Sequence, residues 1–138
     1  MDKQKGAGVQ RNIHLILSVF IIIPAAFVYG FSPDGYFNIL EITPPTTDLK
    51  SVMRALMFLY LGMALIWILG IFKSRWWTTA TLTNMIFMGG LGIGRSISIL
   101  IDGMPSGLFQ VGLIGELILA AYAAIQLKIS TGNKQQTS

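Results

Sequence analysis

A chain of 138 residues, 53% apolar and only 12% charged, with a mean hydropathy of +0.64, is not an ordinary soluble domain, in which about a quarter of residues are charged. Its net charge of +4 comes from basic residues that form no run and interleave with no exposed aromatic platform, which argues against a nucleic-acid partner. The lack of cysteine excludes disulfides, thiolate metal sites and thiol redox chemistry, and a single histidine, His14, excludes a histidine metal cluster within one chain.

Four apolar stretches follow one another, at residues 13–29, 52–72, 76–101 and 108–129. At about 1.5 Å per residue each is long enough for a hydrocarbon core about 30 Å thick, and backbone groups in lipid must be satisfied internally, so all four are predicted as helices. Lys3, Lys5 and Arg11 precede the first stretch as they would a signal peptide. Its apolar part is longer than such a peptide needs and no A-x-A site follows, so it is read as a retained helix. The fold class is therefore all-α, an integral membrane antiparallel four-helix bundle, with residues 1–138 forming one four-span domain.

The connections differ in character. Residues 31–50 form a long loop that a Ser32-Pro33-Asp34-Gly35 turn opens and Pro44-Pro45 stiffens. Between them, Tyr36-Phe37-Asn38-Ile39-Leu40 is amphiphilic enough to lie at the interface or to fold back as a lid. Thr47, followed by Asp48, is the expected N-cap of the second helix. Lys73-Ser74-Arg75 and residues 102–106 are tight turns, so the third and fourth helices form an antiparallel pair. Residues 131–138 are polar and predicted to be disordered.

Basic residues cluster on one side. Lys3, Lys5, Arg11, Lys73, Arg75, Lys128 and Lys134 lie on the side of the termini, whereas the opposite loops hold Lys50 among Asp34, Glu41, Asp48 and Asp102. The positive-inside rule places both termini, residues 1–11 and 131–138, in the cytoplasm, with the chain in the inner (cytoplasmic) membrane and residues 31–50 outside. Trp76 and Trp77 then fall in the inner aromatic belt.

Arg54, Arg95 and Glu116 interrupt the last three apolar stretches. A charge near the centre of a membrane helix costs about 2.5–3.5 kcal/mol even on the lenient insertion scale, so three of them are expected to be partners around one polar site. Counted from the nearest helix ends, they lie about 9, 10 and 14 Å deep, within about one turn of each other in the outer half of the bilayer. Asn84, Met88, Leu91, Arg95, Ser98 and Asp102, spaced by four and three, share one face of the third helix. On the fourth helix Gly112, Glu116, Leu119 and Ala123 share another.

Gly89-Gly90-Leu91-Gly92-Ile93-Gly94 has the look of a phosphate-binding loop, but no strand precedes it. Gly90 and Gly94 are instead expected to let helices approach closely. Glycine and alanine are denser on the third and fourth helices than one small bundle can use, which points to a homo-oligomer. His14, near the cytoplasmic start of the first helix, is expected at the interface, and Tyr60 on a different face from Arg54.

The segments Arg54-Ala55-Leu56-Met57-Phe58-Leu59-Tyr60, Gly94-Arg95-Ser96-Ile97-Ser98 through Asp102-Gly103-Met104-Pro105, and Glu116-Leu117 carry a resemblance. Together they resemble a family of small bacterial four-helix membrane proteins of unknown function, related to the broader DoxX-like group, over about residues 15–128. The resemblance implies a four-helix bundle in the inner membrane and no particular activity. Some DoxX-like members are associated with quinone or thiol oxidation, and a chain without cysteine has no thiol to offer.

No Ser/His/Asp set, catalytic carboxylate pair or metal motif is present, and no cofactor is implied. The leading expectation is a non-enzymatic membrane binding protein with an outer-leaflet polar pocket for an anionic lipid or small anion. Arg54 and Arg95 would grip the anion, because a guanidinium fork binds phosphate or carboxylate bidentately. Asp102, Ser98 and Glu116 would orient the arginines, Asn84 would extend the stripe inward, and residues 31–50 would cover the mouth. The alternatives are a small proton-coupled carrier or exporter with Glu116 as the titrating group, or an accessory subunit whose buried charges only lock the helices. An enzyme acting on a lipid or quinone ranks last.

Overall fold

The computed structural model describes the backbone of residues 2–40 and 43–135. Five α-helices follow in order: α1 (Asp2–Gly30), α2 (Pro33–Ile39), α3 (Thr47–Phe72), α4 (Trp77–Asp102) and α5 (Gly107–Gln135), with one 3-10 turn, Ser74–Trp76, between α3 and α4. The four long helices are long and apolar enough to cross a membrane, over Gln10–Gly30, Thr47–Phe72, Ser74–Asp102 and Gly107–Gly132. They form an antiparallel four-helix bundle of membrane type. α1 already starts at Asp2, and α5 continues to Gln135, past the point where a polar tail was expected; residues 136–138 of that tail lie outside the described residues.

Local chemistry sets the helix ends. Thr46, not Thr47, caps α3: its backbone is extended, and its Oγ1 accepts the Leu49 N–H at 3.2 Å while Asp48 sits in the positive first turn. Pro33 opens α2, where its missing N–H costs nothing, and the Asp34 carboxylate pairs with Lys50 Nζ at 2.8 Å. That pair ties the short helix to the start of α3. Gly103 ends α4 with φ 95°, a conformation that side chains disfavour, and Gln110 donates to the Pro105 carbonyl at 2.8 Å. The four residues from 103 to 106 therefore fold α5 straight back along α4.

α1 packs closely on α3, and α4 on α5, while the 3-10 turn joins the two pairs. Small residues allow the approach. A Cβ on Gly70 would collide with that of Ala80, one on Gly30 with Met57, and one on Gly92 would lie 2.6 Å from Leu117. Gly90 and Gly94, expected at such a contact, are exposed with open space around them. Asn84, Met88 and Gly92 define the buried face of α4, and a two-residue offset turns Gly90 and Gly94 to its far side.

The core gathers Leu15, Ile22, Tyr60, Ala64, Trp67 and Met88. Through it runs an edge-to-face aromatic column: Tyr36 on Tyr29 (5.1 Å between centroids), Tyr29 on Tyr60 (5.9 Å), Tyr60 on Phe87 (5.3 Å) and Phe87 on Trp67 (5.8 Å). Large apolar side chains such as Phe20, Phe58 and Leu100 stand outside the bundle. In water this surface would drive association; in a bilayer it meets its solvent. The ring of helices is unevenly closed. Tyr122 donates to the Gln10 carbonyl at 2.9 Å near the termini, yet α1 and α5 touch over only a short stretch.

Candidate functional site

Arg95 of α4 and Glu116 of α5 meet where Gly92 and Leu117 bring those helices together. Arg95 Nε lies 3.0 Å from Glu116 Oε1 and 2.9 Å from Oε2. The hydrogen on Nε is directed at Oε1, so Oε2 is in ionic contact without a hydrogen bond. The side chains retain 25% and 12% of their exposure, which makes this a largely desolvated pair with a way in from outside. The Phe109 ring centroid is 5.2 Å from Arg95 Cζ and adds a cation–π contact. Glu116 occupies Nε, the Tyr29 phenol lies beside the guanidinium, and among the described residues no hydrogen bond of full geometry forms to the Arg95 Nη groups. The edge formed by the two Nη groups is one of the guanidinium edges that can give two parallel hydrogen bonds to an oxyanion.

Hollows surround this edge. One of about 310 Å³ is lined by Arg95, Ser98, Ile99, Pro105 and Phe109. A second of about 270 Å³ shares Arg95 and Phe109 and adds Tyr29 and Tyr36, with Ile21 and Gly112 among its walls. A third of about 280 Å³ shares Ile21, Leu108 and Gly112 with the second and reaches Glu116 and Leu119. Within residues 31–50, α2 folds back so that Tyr36 covers Tyr29. Burial, with the Tyr29 phenol beside it, pushes the Tyr36 phenol well above its usual range, so it stays a neutral hydrogen-bond donor.

The expected site residues separate into four places. Arg95 and Glu116 come together. Ser98 and Asp102 form their own exposed bond, Oγ to Oδ2 at 2.8 Å, one turn and two turns beyond Arg95 towards the loop. Arg54 does not join them. It is exposed on α3, alongside the outward Phe58 and Leu65, and makes no ion pair among the described residues. The inward face of α3 is set by Met53, Tyr60, Ala64 and Trp67, and the one-residue step from Met53 turns Arg54 about 100° away from it. About two turns from the helix end, its long stem can carry the guanidinium to the headgroups.

Asn84 is fully buried about 16 Å along α4 from Arg95, with neither amide atom hydrogen-bonded. Its neighbours in kind were not expected. His14, placed at the interface by sequence, is fully buried, its Nε2 3.2 Å from Thr81 Oγ1, and Ser18 is equally enclosed. The His14 ring stands edge-on to Trp77 at 6.4 Å and tilted on Tyr122 at 5.8 Å. His14 and Ser18 are four apart, and Thr81 and Asn84 three apart; these paired spacings within apolar helices are the signal that could have found the set. Tyr29, Tyr36 and Phe109 at the ion pair carried no signal beyond their aromatic character. Among the described residues no group of three His, Cys, Asp or Glu side chains could hold a metal.

A four-span α-helical bundle with a partly accessible ion pair between its last two helices is an integral membrane protein. The chain belongs to the family described as a domain of unknown function (DUF4345), which it matches over residues 11–127. No curated protein and no solved structure matches it.

Proposed function

We propose that this protein is an integral membrane binding protein whose Arg95 fork takes an oxyanion, either the phosphate or carboxylate of a lipid or a free small anion. One observation carries the reading: Glu116 fixes the guanidinium through Nε, while the Nη edge, with the Tyr29 phenol beside the guanidinium, borders hollows of about 310 and 270 Å³. A fork held rigid by a second residue loses little freedom on binding. The Glu116 charge cancels that of Arg95, so recognition rests on the geometry of the donors and not on a positive surplus. The basic residues flanking the termini support the inner membrane with both termini cytoplasmic, which puts the site in the outer leaflet. The Gly94-Arg95 to Pro105 pattern supports kinship with DoxX-like proteins, and the outward Gly90 and Gly94 support a homo-oligomer.

A second reading, a small proton-coupled carrier, draws on the His14, Ser18, Thr81 and Asn84 set, which extends polar groups into the other half of the bundle. Met88 and Leu119, both buried, stand between that set and Glu116 and interrupt such a path.

The test is native mass spectrometry of the protein released from nanodiscs of phosphatidylglycerol, comparing Arg95→Lys with Arg54→Lys. Lysine keeps the charge and the partner of Glu116 but lacks the fork. Retained lipid should fall about tenfold in Arg95→Lys, a loss of about 1.4 kcal/mol, and be unchanged in Arg54→Lys. Equal retention in both would reduce the ion pair to a lock between α4 and α5.

A further inference from the structure

The uneven closure of the helix ring gives the oxyanion reading a specific ligand class. Between α1 and α5 the second and third hollows, about 270 and 280 Å³, adjoin each other and share walls at Ile21, Leu108 and Gly112. Together they form a seam that begins at Arg95 and Tyr36 and runs past Glu116 to Leu119. It ends towards the termini, where Tyr122 binds the Gln10 carbonyl and draws α5 onto α1. Its floor is made by glycine: a Cβ added to Gly112 or Gly115 would meet no atom within 4 Å.

We propose that this seam seats one hydrocarbon chain of a lipid whose head group is held by the Arg95 fork. The proposal rests on the oxyanion reading above and commits to a lipid over a free anion. Polarity along the seam favours one orientation, with the guanidinium and the Tyr36 phenol at the loop end and, apart from the Arg95-paired Glu116 carboxylate, apolar walls beyond. A helix from a second copy, about 10 Å across, is too thick for hollows of this size, whereas a flexible chain one methylene wide is not. A chain leaving bulk lipid gains no hydrophobic energy by entering an apolar seam. Residence there follows from the anchored head and from packing, so the seam and the fork act on the same molecule.

The substitutions that test this are supplied by the glycines. Gly112→Leu and Gly115→Leu start from a Cβ in open space and narrow the seam, and Gly62→Leu, on the exposed side of α3 with an equally open Cβ position, is the control. The proteins are placed in dioleoyl phosphatidylglycerol nanodiscs doped with the same lipid bearing a photoactivatable acyl chain. In the wild type, crosslinks should concentrate on Ile21, Leu108 and Val111, and native mass spectra should show retained lipid. Gly112→Leu and Gly115→Leu should each lose about tenfold in retention and their seam crosslinks, while Gly62→Leu keeps both. Crosslinks spread evenly over outward residues such as Phe58 and Ile86 would overturn the proposal, even if a leucine variant failed to fold. So would equal retention in all three glycine variants.

Failure of the two readings is distinguishable. Loss of lipid in Arg95→Lys with full retention in the seam variants leaves the fork and removes the seam. Loss in the seam variants, with seam crosslinks and no effect of Arg95→Lys, leaves the seam and removes the fork.

Discussion

The bundle carries two polar sets inside its apolar helices, and they solve the problem of burial in opposite ways. Towards the loop end, Arg95 and Glu116 are charged, joined at 2.9–3.0 Å and bordered by hollows. Towards the termini, His14, Ser18, Thr81 and Asn84 have no ionic partner among the described residues and are fully enclosed, with a single hydrogen bond among them. His14 Nδ1, Ser18 Oγ and both Asn84 amide atoms remain unpaired. Charge is tolerable in the first set because each ion has its counter-ion. A buried polar group left without a partner costs about 1–3 kcal/mol, which the second set bears at several atoms. Removing one member of the first set is therefore expected to cost more stability than removing one member of the second.

Substitutions can break that comparison. Glu116→Ala should have the largest effect, destabilising the bundle by about 3–5 kcal/mol because the Arg95 charge is stranded between helices. Thermal unfolding in a mild detergent measures it, and a change below about 1 kcal/mol would mean that the pair is already solvated. Gly92→Leu, which meets Leu117, should cost about 1–3 kcal/mol by prising α4 from α5, and should weaken the ion pair along with the packing. Asn84→Leu should change sign: with no hydrogen bond to lose, stability should hold or rise by about 1 kcal/mol. A loss as large as that of Glu116→Ala would show that Asn84 has a partner and that the two sets are alike. Arg54→Gln should be smallest, within about 0.5 kcal/mol, as expected of an exposed side chain.

What the sequence made legible follows from the periodicities involved. Runs of apolar residues as long as 108–129 have one stable form in lipid, so the number of spans and their antiparallel order could be read directly. Depth along a helix was equally accessible, because Arg95 and Glu116 each have a countable distance to a turn. Rotation about the helix was not. Arg54 and Met53 are adjacent in sequence and face opposite surroundings, and in the run from Gly89 to Gly94 the residues at the α4–α5 contact are Gly89 and Gly92. In a soluble helix polar residues mark the outward face; here both faces are apolar, and that mark is missing. The same loss of contrast hid His14, whose place near a helix start suggested water when its face pointed to the core. Helix α2 is an intermediate case. Its amphiphilic composition was visible, but the contact of Tyr36 with Tyr29 and the pairing of Asp34 with Lys50 both depend on how the chain folds back, which composition does not encode.

The central claim, that Arg95 and not Arg54 meets the lipid phosphate, is tested most directly by solid-state NMR. Dipolar couplings between arginine side-chain nitrogens and phosphorus would be recorded in phosphatidylglycerol bilayers. The account predicts couplings from the Arg95 Nη groups that persist in Arg54→Lys and vanish in Arg95→Lys. Couplings that vanish in Arg54→Lys and survive unchanged in Arg95→Lys would contradict it, leaving Arg54 as a headgroup anchor and Arg95 as a bolt between two helices.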